Sequence, residues 1–257
     1  MVRPDSFEKF RENSTLDKDF RSGFWLHAVE RFFVLRQYMS KESLGRLFHA
    51  ELDVMVFDLH GVANACDSHA RGVFAVMDSP DRALASLFYT NSAEKFDHFL
   101  DYVSLHPDNR NEMEILGAYL TEFPRHGHSF PSDSIFYSAP PRFCPSVLDD
   151  KIGVFDASAL GQWLFGIDPR NVAGWVKNKF RNDGVGFPIE SLRFSMSAGG
   201  RKIMAFLPGG PKHQVRTLHI HSKIVRRLCR SAFLGAYLWM NRLPFRLPIT
   251  GWKRHIV

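Results

Sequence analysis

Two acidic residues separated by a single position, Glu51 and Asp53, lie between two short apolar segments of the chain. These segments, residues 47–49 and 54–59, have the length and composition of buried strands. Two carboxylates that emerge between such segments at the edge of a sheet can both point towards one divalent cation, and hard oxygen ligands suit Mg²⁺ or Mn²⁺. Such a cation can neutralise a leaving diphosphate. The alternative is a pair of solvated acids that flank a strand and bind nothing.

A second group of polar residues, His219, His221 and Lys223, lies near the C-terminus. In a strand, alternate side chains share a face, so the two histidines are expected on the same side. Either histidine could complete the shell of a metal ion, and Lys223 could hold a phosphate as a point charge. The alternative is two partly exposed histidines beside a basic helix.

A third polar group occupies a short apolar unit and consists of Asp156, Gln162, Asp168 and Arg170. Asp156 follows a predicted strand at residues 152–155 and precedes a predicted helix. As a helix cap it would contribute about 1 kcal/mol. The density of polar groups near turns equally favours contact with a ligand. The sequence leaves both roles of Asp156 open.

The elements that must position these residues alternate between helix and strand, which predicts an α/β fold. Three of the predicted helices are residues 24–40, a helix through Val103 capped by Ser92, and a helix through Leu120 that starts at Asn109 or Asn111. On the first of them Arg31 is expected to face solvent. The further predicted elements are a strand at residues 84–89, a hairpin of residues 192–196 and 202–206, a strand at residues 215–221 and a long surface loop at residues 123–145.

The charge of the chain is divided unevenly along its 257 residues. Glu190 is the last acid, so the net charge of +6 is the sum of −7 before residue 191 and +13 after it. The 45% hydrophobic content and the 24 Phe exclude a disordered chain. Three scattered Cys form no zinc or disulfide pattern and favour a reducing compartment. The charged N-terminal segment is not that of a signal peptide.

The basic excess forms a stripe on a predicted amphipathic helix near the C-terminus. Lys223, Arg226, Arg227 and Arg230 are spaced to share one face, and an Arg- and Trp-bearing segment follows. Basic residues beside Trp and Tyr are typical of an interfacial anchor on an anionic membrane. The alternative is a terminal helix packed on the protein with a solvated basic face.

Four spaced motifs together resemble a known family. They are Phe24-Trp25 with Glu30-Arg31-Phe32, His49-Ala-Glu51-Leu-Asp53, Phe155-Asp-Ala-Ser-Ala-Leu-Gly-Gln162 with Gly166-Ile-Asp-Pro-Arg170, and Leu218-His-Ile-His-Ser-Lys223. They are similar to motifs of bacterial GT-A-type glycosyltransferases, including members linked to surface-polysaccharide and capsule synthesis. The resemblance implies an α/β GT-A-like (Rossmann-like) mixed sheet flanked by helices in a catalytic domain, residues 1–223. A basic amphipathic C-terminal segment, residues 224–257, would follow.

The resemblance also implies a nucleotide-sugar donor, a glycan or lipid-linked acceptor, and Mn²⁺ or Mg²⁺ as cofactor. The metal ligands it suggests are Asp53, Glu51 and, as the C-terminal ligand, His221. The donor contacts it suggests are Lys223, Gln162 and Arg170. Asp156 would act as the base on the acceptor hydroxyl. The enzyme is expected in the cytoplasm, peripheral to the inner face of the membrane, with no nucleic-acid partner.

The chain departs from the family at its start, because the 50 residues before Glu51 are too few for the usual strand, helix and strand that hold the nucleotide. These strands are therefore predicted to be short or missing, as in an N-terminally truncated member. One alternative function is a non-catalytic remnant or scaffold. Another is a haloacid-dehalogenase-like phosphatase with Asp58 as nucleophile, although His60 replaces its second acid. A nucleic-acid binder, suggested by a pI of 9.3, ranks last.

Overall fold

The computed structural model of the chain describes residues 5–59, 61–107, 110–136, 148, 152–157, 159–161, 191–196 and 202–219. The described residues form a mixed α/β structure, as the sequence predicts. The chain divides into two compact units. The first consists of Met1–Glu51, Gly61–Ser132 and Arg142–Asp149, and the second of Leu52–His60, Asp133–Pro141 and Asp150–Val257. The predicted boundary after residue 223 lies outside the described residues.

The first unit combines five helices with a four-stranded sheet, counted over the residues described. Its elements are α1 (Asp5–Asn13), α2 (Phe24–Lys41), β1 (Leu47–Ala50), α3 (Val62–His69), β3 (Val73–Ser79), β4 (Arg82–Thr90), α4 (Ala93–Leu105), α5 (Glu112–Glu122) and β5 (Gly127–Ser129). The strand order is β1-β4-β3-β5. Only β5 runs parallel to its neighbour, and the other two pairs are antiparallel.

The core of the first unit lies between this sheet and helices α1, α2, α4 and α5. Aromatic rings fill much of it. Phe32 of α2 contacts Phe88 of β4 and Phe99 of α4, with ring centroids 5.5 and 5.0 Å apart. All three side chains are buried. The buried apolar residues of α2 therefore pack on the sheet.

Two predicted helix starts are confirmed by their hydrogen bonds. The Ser92 hydroxyl accepts the backbone N–H of Lys95 and caps α4. Of the two candidates for the next helix, Asn111 is the cap. Its side chain accepts the N–H of Glu114, whose carboxylate accepts the N–H of Asn111 in return. This reciprocal capping box satisfies backbone donors that have no partner inside the helix.

The second unit is built on another sheet. Its described elements are β2 (Val54–Val56), a 3₁₀ turn (Asp133–Phe136), β6 (Val154–Phe155), β7 (Arg193–Met196), β8 (Ile203–Phe206) and β9 (His213–His219). Strands β7 and β8 form the predicted hairpin. Strand β9 pairs with β8 and β2 in antiparallel fashion and with β6 in parallel. The resemblance to GT-A-type enzymes implies a mixed sheet, whereas the described strands form two sheets.

Several elements are not predicted by the sequence. Helices α1 and α3 are short, and β3 is a continuous apolar run that shows no period of two. The predicted surface loop at residues 123–145 is wrong in part, because β5 lies within it. All three residues of β5 are buried beside β3. Tertiary pairing, and not local propensity, places this Gly-His-Ser segment in the sheet.

The predicted amphipathic helix after residue 223 lies outside the described residues. Among the helices that are described, none combines the length and the apolar character needed to cross a bilayer.

Candidate metal centre

Asp53 lies in the turn that leads into strand β2, and the pairing of β2 with β9 determines what faces it. The two strands are antiparallel, with Val54 opposite His219 and Val56 opposite Thr217. Asp53 comes directly before Val54, so this register brings it next to His219, the last residue of β9. Both residues belong to the second unit.

The His219 imidazole and the Asp53 carboxylate face each other. The distance between Nε2 of His219 and Oδ1 of Asp53 is 3.6 Å, which is longer than a good hydrogen bond. Two ligands that each lie about 2.1 Å from one cation can be separated by up to about 4.2 Å. The Asp53 side chain is 51% exposed and that of His219 is 12% exposed. The pair is thus anchored on one side and open to solvent on the other.

Glu51 is the third residue of a metal-ligating type at this turn. It ends the first unit and precedes Asp53 by two residues, so the covalent chain alone keeps their Cα atoms within about 7 Å. Its backbone N–H donates to the carbonyl of Ser86. Within the second unit, the Asp53 carboxylate and the His219 imidazole form a mixed oxygen and nitrogen donor set. Since an imidazole nitrogen is a poor ligand for Mg²⁺, this set fits Mn²⁺ better than Mg²⁺.

Arg31 corrects a prediction made from the sequence. Expected to face solvent, it is instead partly buried and donates from Nη1 to the Glu51 carboxylate. Its Nη2 also lies 3.4 Å from Oε1 of Glu112. Burial raises the pKa of Glu112 to about 7, and Arg31 opposes that shift. Helical spacing places Arg31 beside the apolar residues of α2. The sequence carries no signal of its acidic partners Glu51 and Glu112, because both lie far from it along the chain.

Asp156 is buried, with 1% of its surface exposed. Its Oδ1 accepts the N–H of Leu160, and its Oδ2 accepts the N–H groups of Gly161 and His219. Burial raises the pKa of Asp156 above its usual value, and these three hydrogen bonds offset only part of that rise. Both carboxylate oxygens are thus bound to the backbone, as in the capping role that the sequence left open. The predicted role as a catalytic base gains no support from these contacts.

Asp58, the nucleophile of the phosphatase alternative, is held within the second unit. Its carboxylate lies 3.2 Å from Nη1 of Arg216 and also accepts a hydrogen bond from Gln214. Arg216 further donates to the backbone carbonyls of Asp58 and Ile152. These contacts tie the segment after β2 to β9 and to the segment before β6. These contacts give Asp58 a structural role in the second unit.

Four of the predicted site residues lie outside the described residues: His221, Lys223, Gln162 and Arg170. The histidine that the structure places beside Asp53 is His219. Alternation along a predicted strand assigns His219 and His221 to the same face, so the sequence pattern does not choose between them. The distinguishing fact is the register of β9 against β2, which sequence patterns do not supply.

Comparison of the chain with protein-family models, with curated proteins and with solved structures finds no match.

Proposed function

We propose that the chain is a metal-dependent glycosyltransferase that moves a sugar from a nucleotide-diphosphate donor to a glycan or lipid-linked acceptor. The observation that carries the proposal is the distance of 3.6 Å between His219, at the end of β9, and Asp53, in an exposed turn. A carboxylate in a Glu-x-Asp pair and a histidine near the end of the chain are also what the resemblance to GT-A-type enzymes leads one to expect. The α/β architecture agrees with such an enzyme at the level of fold class.

The chemistry requires charge neutralisation where the donor breaks. When a glycosyl–phosphate bond cleaves, negative charge accumulates on the departing diphosphate, and a bound divalent cation stabilises that charge. Asp53 and His219 would hold the cation, with Glu51 as a further ligand. The half-exposed Asp53 carboxylate leaves room on the solvent side for donor phosphates. Lys223, Gln162 and Arg170 remain the proposed donor contacts, and the acceptor base stays unassigned.

The proposed location is the inner face of the cytoplasmic membrane, where a lipid-linked acceptor would be presented. The support is the charge distribution, since 13 basic residues and no acidic residue follow Glu190 in the sequence. Such a segment is attracted to anionic lipid with about 1 kcal/mol per basic residue near the surface. Residues 224–257 would then act as an anchor for a GT-A-like catalytic part.

Calorimetric titration tests the proposal. UDP, GDP and CMP are titrated into the full chain with and without Mn²⁺, and one nucleotide is expected to bind only with the metal. Asp53→Ala should abolish this binding, and His219→Ala should weaken it. Asp101→Ala and His27→Ala remove the same side-chain types from exposed helix positions and should bind as the unaltered chain does.

The outcomes separate the competing functions. Failure of every nucleotide to bind with Mn²⁺ would overturn the proposal of a glycosyltransferase. Binding of Mn²⁺ that depends on Asp53, without binding of any nucleotide, would leave a metal site on a non-catalytic scaffold. Equal losses in Asp101→Ala and Asp53→Ala would show that the metal lies elsewhere.

A further inference from the structure

Asp156 is too deeply buried to touch a donor or an acceptor, yet it contacts the candidate metal centre through the backbone. Its Oδ2 accepts the N–H of His219 at 2.8 Å, and the imidazole of the same residue faces Asp53. His219 thus donates its backbone N–H to the buried carboxylate, and its side chain is a proposed metal ligand.

The carboxylate of Asp156 extends the pairing of two strands beyond the end of β6. Strand β6 ends at Phe155, which pairs with Thr217 of β9. The next N–H group of β9 on this edge, that of His219, would have no acceptor in the strand. The Asp156 side chain supplies one. At the same time, the backbone N–H of Asp156 donates to Oγ1 of Thr217, which fixes the carboxylate beside β9.

The same carboxylate also anchors the helical turn at residues 159–161. It accepts the N–H groups of Leu160 at 2.9 Å and Gly161 at 2.8 Å. Gly161 passes so close to β9 that a Cβ atom there would lie 1.9 Å from the carbonyl oxygen of His219. The main chain of His219 is therefore held by strand pairing with Val54 on one edge and by Asp156 and Gly161 on the other.

We propose that Asp156 is a positioning residue of the candidate metal centre, and that Gly161 shares this role. The carboxylate fixes the main chain of His219, and the fixed main chain holds the imidazole towards Asp53. This inference rests on the metal site proposed above. It gives Asp156 a function in metal binding without any contact to the metal, the donor or the acceptor.

Electron paramagnetic resonance of bound Mn²⁺ tests the inference. A titration followed by this method gives the affinity for Mn²⁺. The modulation that a coordinated nitrogen adds to the pulsed signal shows whether an imidazole is a ligand. In the unaltered chain we expect Mn²⁺ to bind with that nitrogen signal. Asp156→Asn and Gly161→Ala should each weaken Mn²⁺ binding about 10- to 100-fold, the usual effect of losing an outer-shell partner. Both variants should lose the nitrogen signal from any metal that remains bound.

A double-mutant cycle separates positioning from a general effect on the fold. On the His219→Ala background, Asp156→Asn should cause no further loss of Mn²⁺ affinity, because the ligand it positions is gone. Gly210→Ala is the matched glycine control in the same unit, since its Cβ would meet only ordinary contacts, the nearest at 3.4 Å. This control should keep both the affinity and the nitrogen signal.

The folding of each variant is checked by circular dichroism without metal. If Asp156→Asn does not fold, Thr217→Val takes its place in the cycle, because it keeps the side-chain shape and removes only the acceptor of the Asp156 N–H. A folded Asp156 variant with unchanged affinity and nitrogen signal would overturn the inference. So would an equal loss on the His219→Ala background. Absence of the nitrogen signal in the unaltered chain, with no effect of His219→Ala, would instead overturn the proposed metal site.

Discussion

Arg31 donates a hydrogen bond to Glu51, which links helix α2 to the residue that follows strand β1. The pair is only partly exposed, with 16% of the Arg31 side chain and 29% of the Glu51 side chain open to solvent. Such charge-assisted hydrogen bonds are about twice as strong as neutral ones. The two carboxylates of the Glu-x-Asp pair are therefore not equivalent, because Glu51 already neutralises a cation of the protein.

The first prediction is that the two carboxylates contribute unequally to Mn²⁺ binding. Glu51→Gln should weaken Mn²⁺ binding by less than about tenfold, or about 1.4 kcal/mol. Asp53→Asn should weaken it by about 100-fold or more, because Asp53 faces His219 and is more exposed. The measurement is a Mn²⁺ titration followed by electron paramagnetic resonance, with Asp101→Asn as the control. Equal losses at Glu51 and Asp53 would contradict the inequality.

The second prediction concerns His128, a buried residue of β5. Burial, followed by the nearby His69 and His126, lowers its pKa to about 4, against a small opposing contribution from the backbone of Arg71. In the unfolded chain the ring takes up a proton near pH 6.5. The stabilising contribution is thus present above pH 6.5 and is lost as the pH falls towards 4.

Replacement of the ring by an apolar one removes this pH dependence. Relative to His128→Phe, the unaltered chain should lose up to about 1.4 kcal/mol of unfolding free energy per pH unit between pH 6.5 and 4. Urea denaturation across this range measures the difference. Phe99→Leu, in the core of the same unit, should lower stability by the same amount at each pH. A constant difference between His128→Phe and the unaltered chain would show that folding does not lower the pKa of His128.

The third prediction tests the capping box of α5. Asn111→Ala removes the acceptor for the N–H groups of Met113 and Glu114 and should cost about 1 kcal/mol of unfolding free energy. Asn111→Asp keeps a side-chain oxygen and adds a negative charge near the helix N-terminus, where charge of this sign is favourable. It should therefore be at least as stable as the unaltered chain. Similar losses in both variants would show that the cap contributes little.

Local patterns predicted the parts of the fold that are determined by local chemistry. The pattern predicts Ser92 as one cap and Asn109 or Asn111 as the other, because a cap requires a short polar side chain just before an apolar period. The hairpin of β7 and β8 was identified from two short strands joined through glycines. The spacing of Glu51 and Asp53 predicts a pair of metal ligands because both residues lie in one short segment.

Parts that depend on distant pairing were not predictable in this way. The histidine that faces Asp53 is His219, which the register between β2 and β9 places opposite Val54. The contact of Arg31 with Glu51 and Glu112 joins residues 20 and 81 positions apart. The burial of Asp156 also depends on β9. Its carboxylate accepts the N–H of His219, which lies 63 positions away in the sequence.

The fourth prediction concerns Gly117, inside helix α5. In an exposed helix, Gly→Ala stabilises a protein by up to about 1 kcal/mol, because alanine loses less backbone entropy on folding. At Gly117 the sign should reverse. A Cβ atom there would lie 2.4 Å from the backbone N of Arg82 and 2.5 Å from the carbonyl carbon of Asp81. The hydrogen bond from Thr121 to the carbonyl of Pro80 holds the same helix against this turn.

Because the contacting atoms belong to the backbone, neither side can move cheaply, and Gly117→Ala should cost about 2 kcal/mol or more through overpacking. Gly45→Ala in the same unit is the matched control, since its Cβ would meet nothing within 4 Å. The control should stay within about 0.5 kcal/mol of the unaltered chain. Urea denaturation of both variants gives the comparison. Gly117→Ala with equal or higher stability than the unaltered chain would mean that α5 and the turn between β3 and β4 are not in backbone contact in solution.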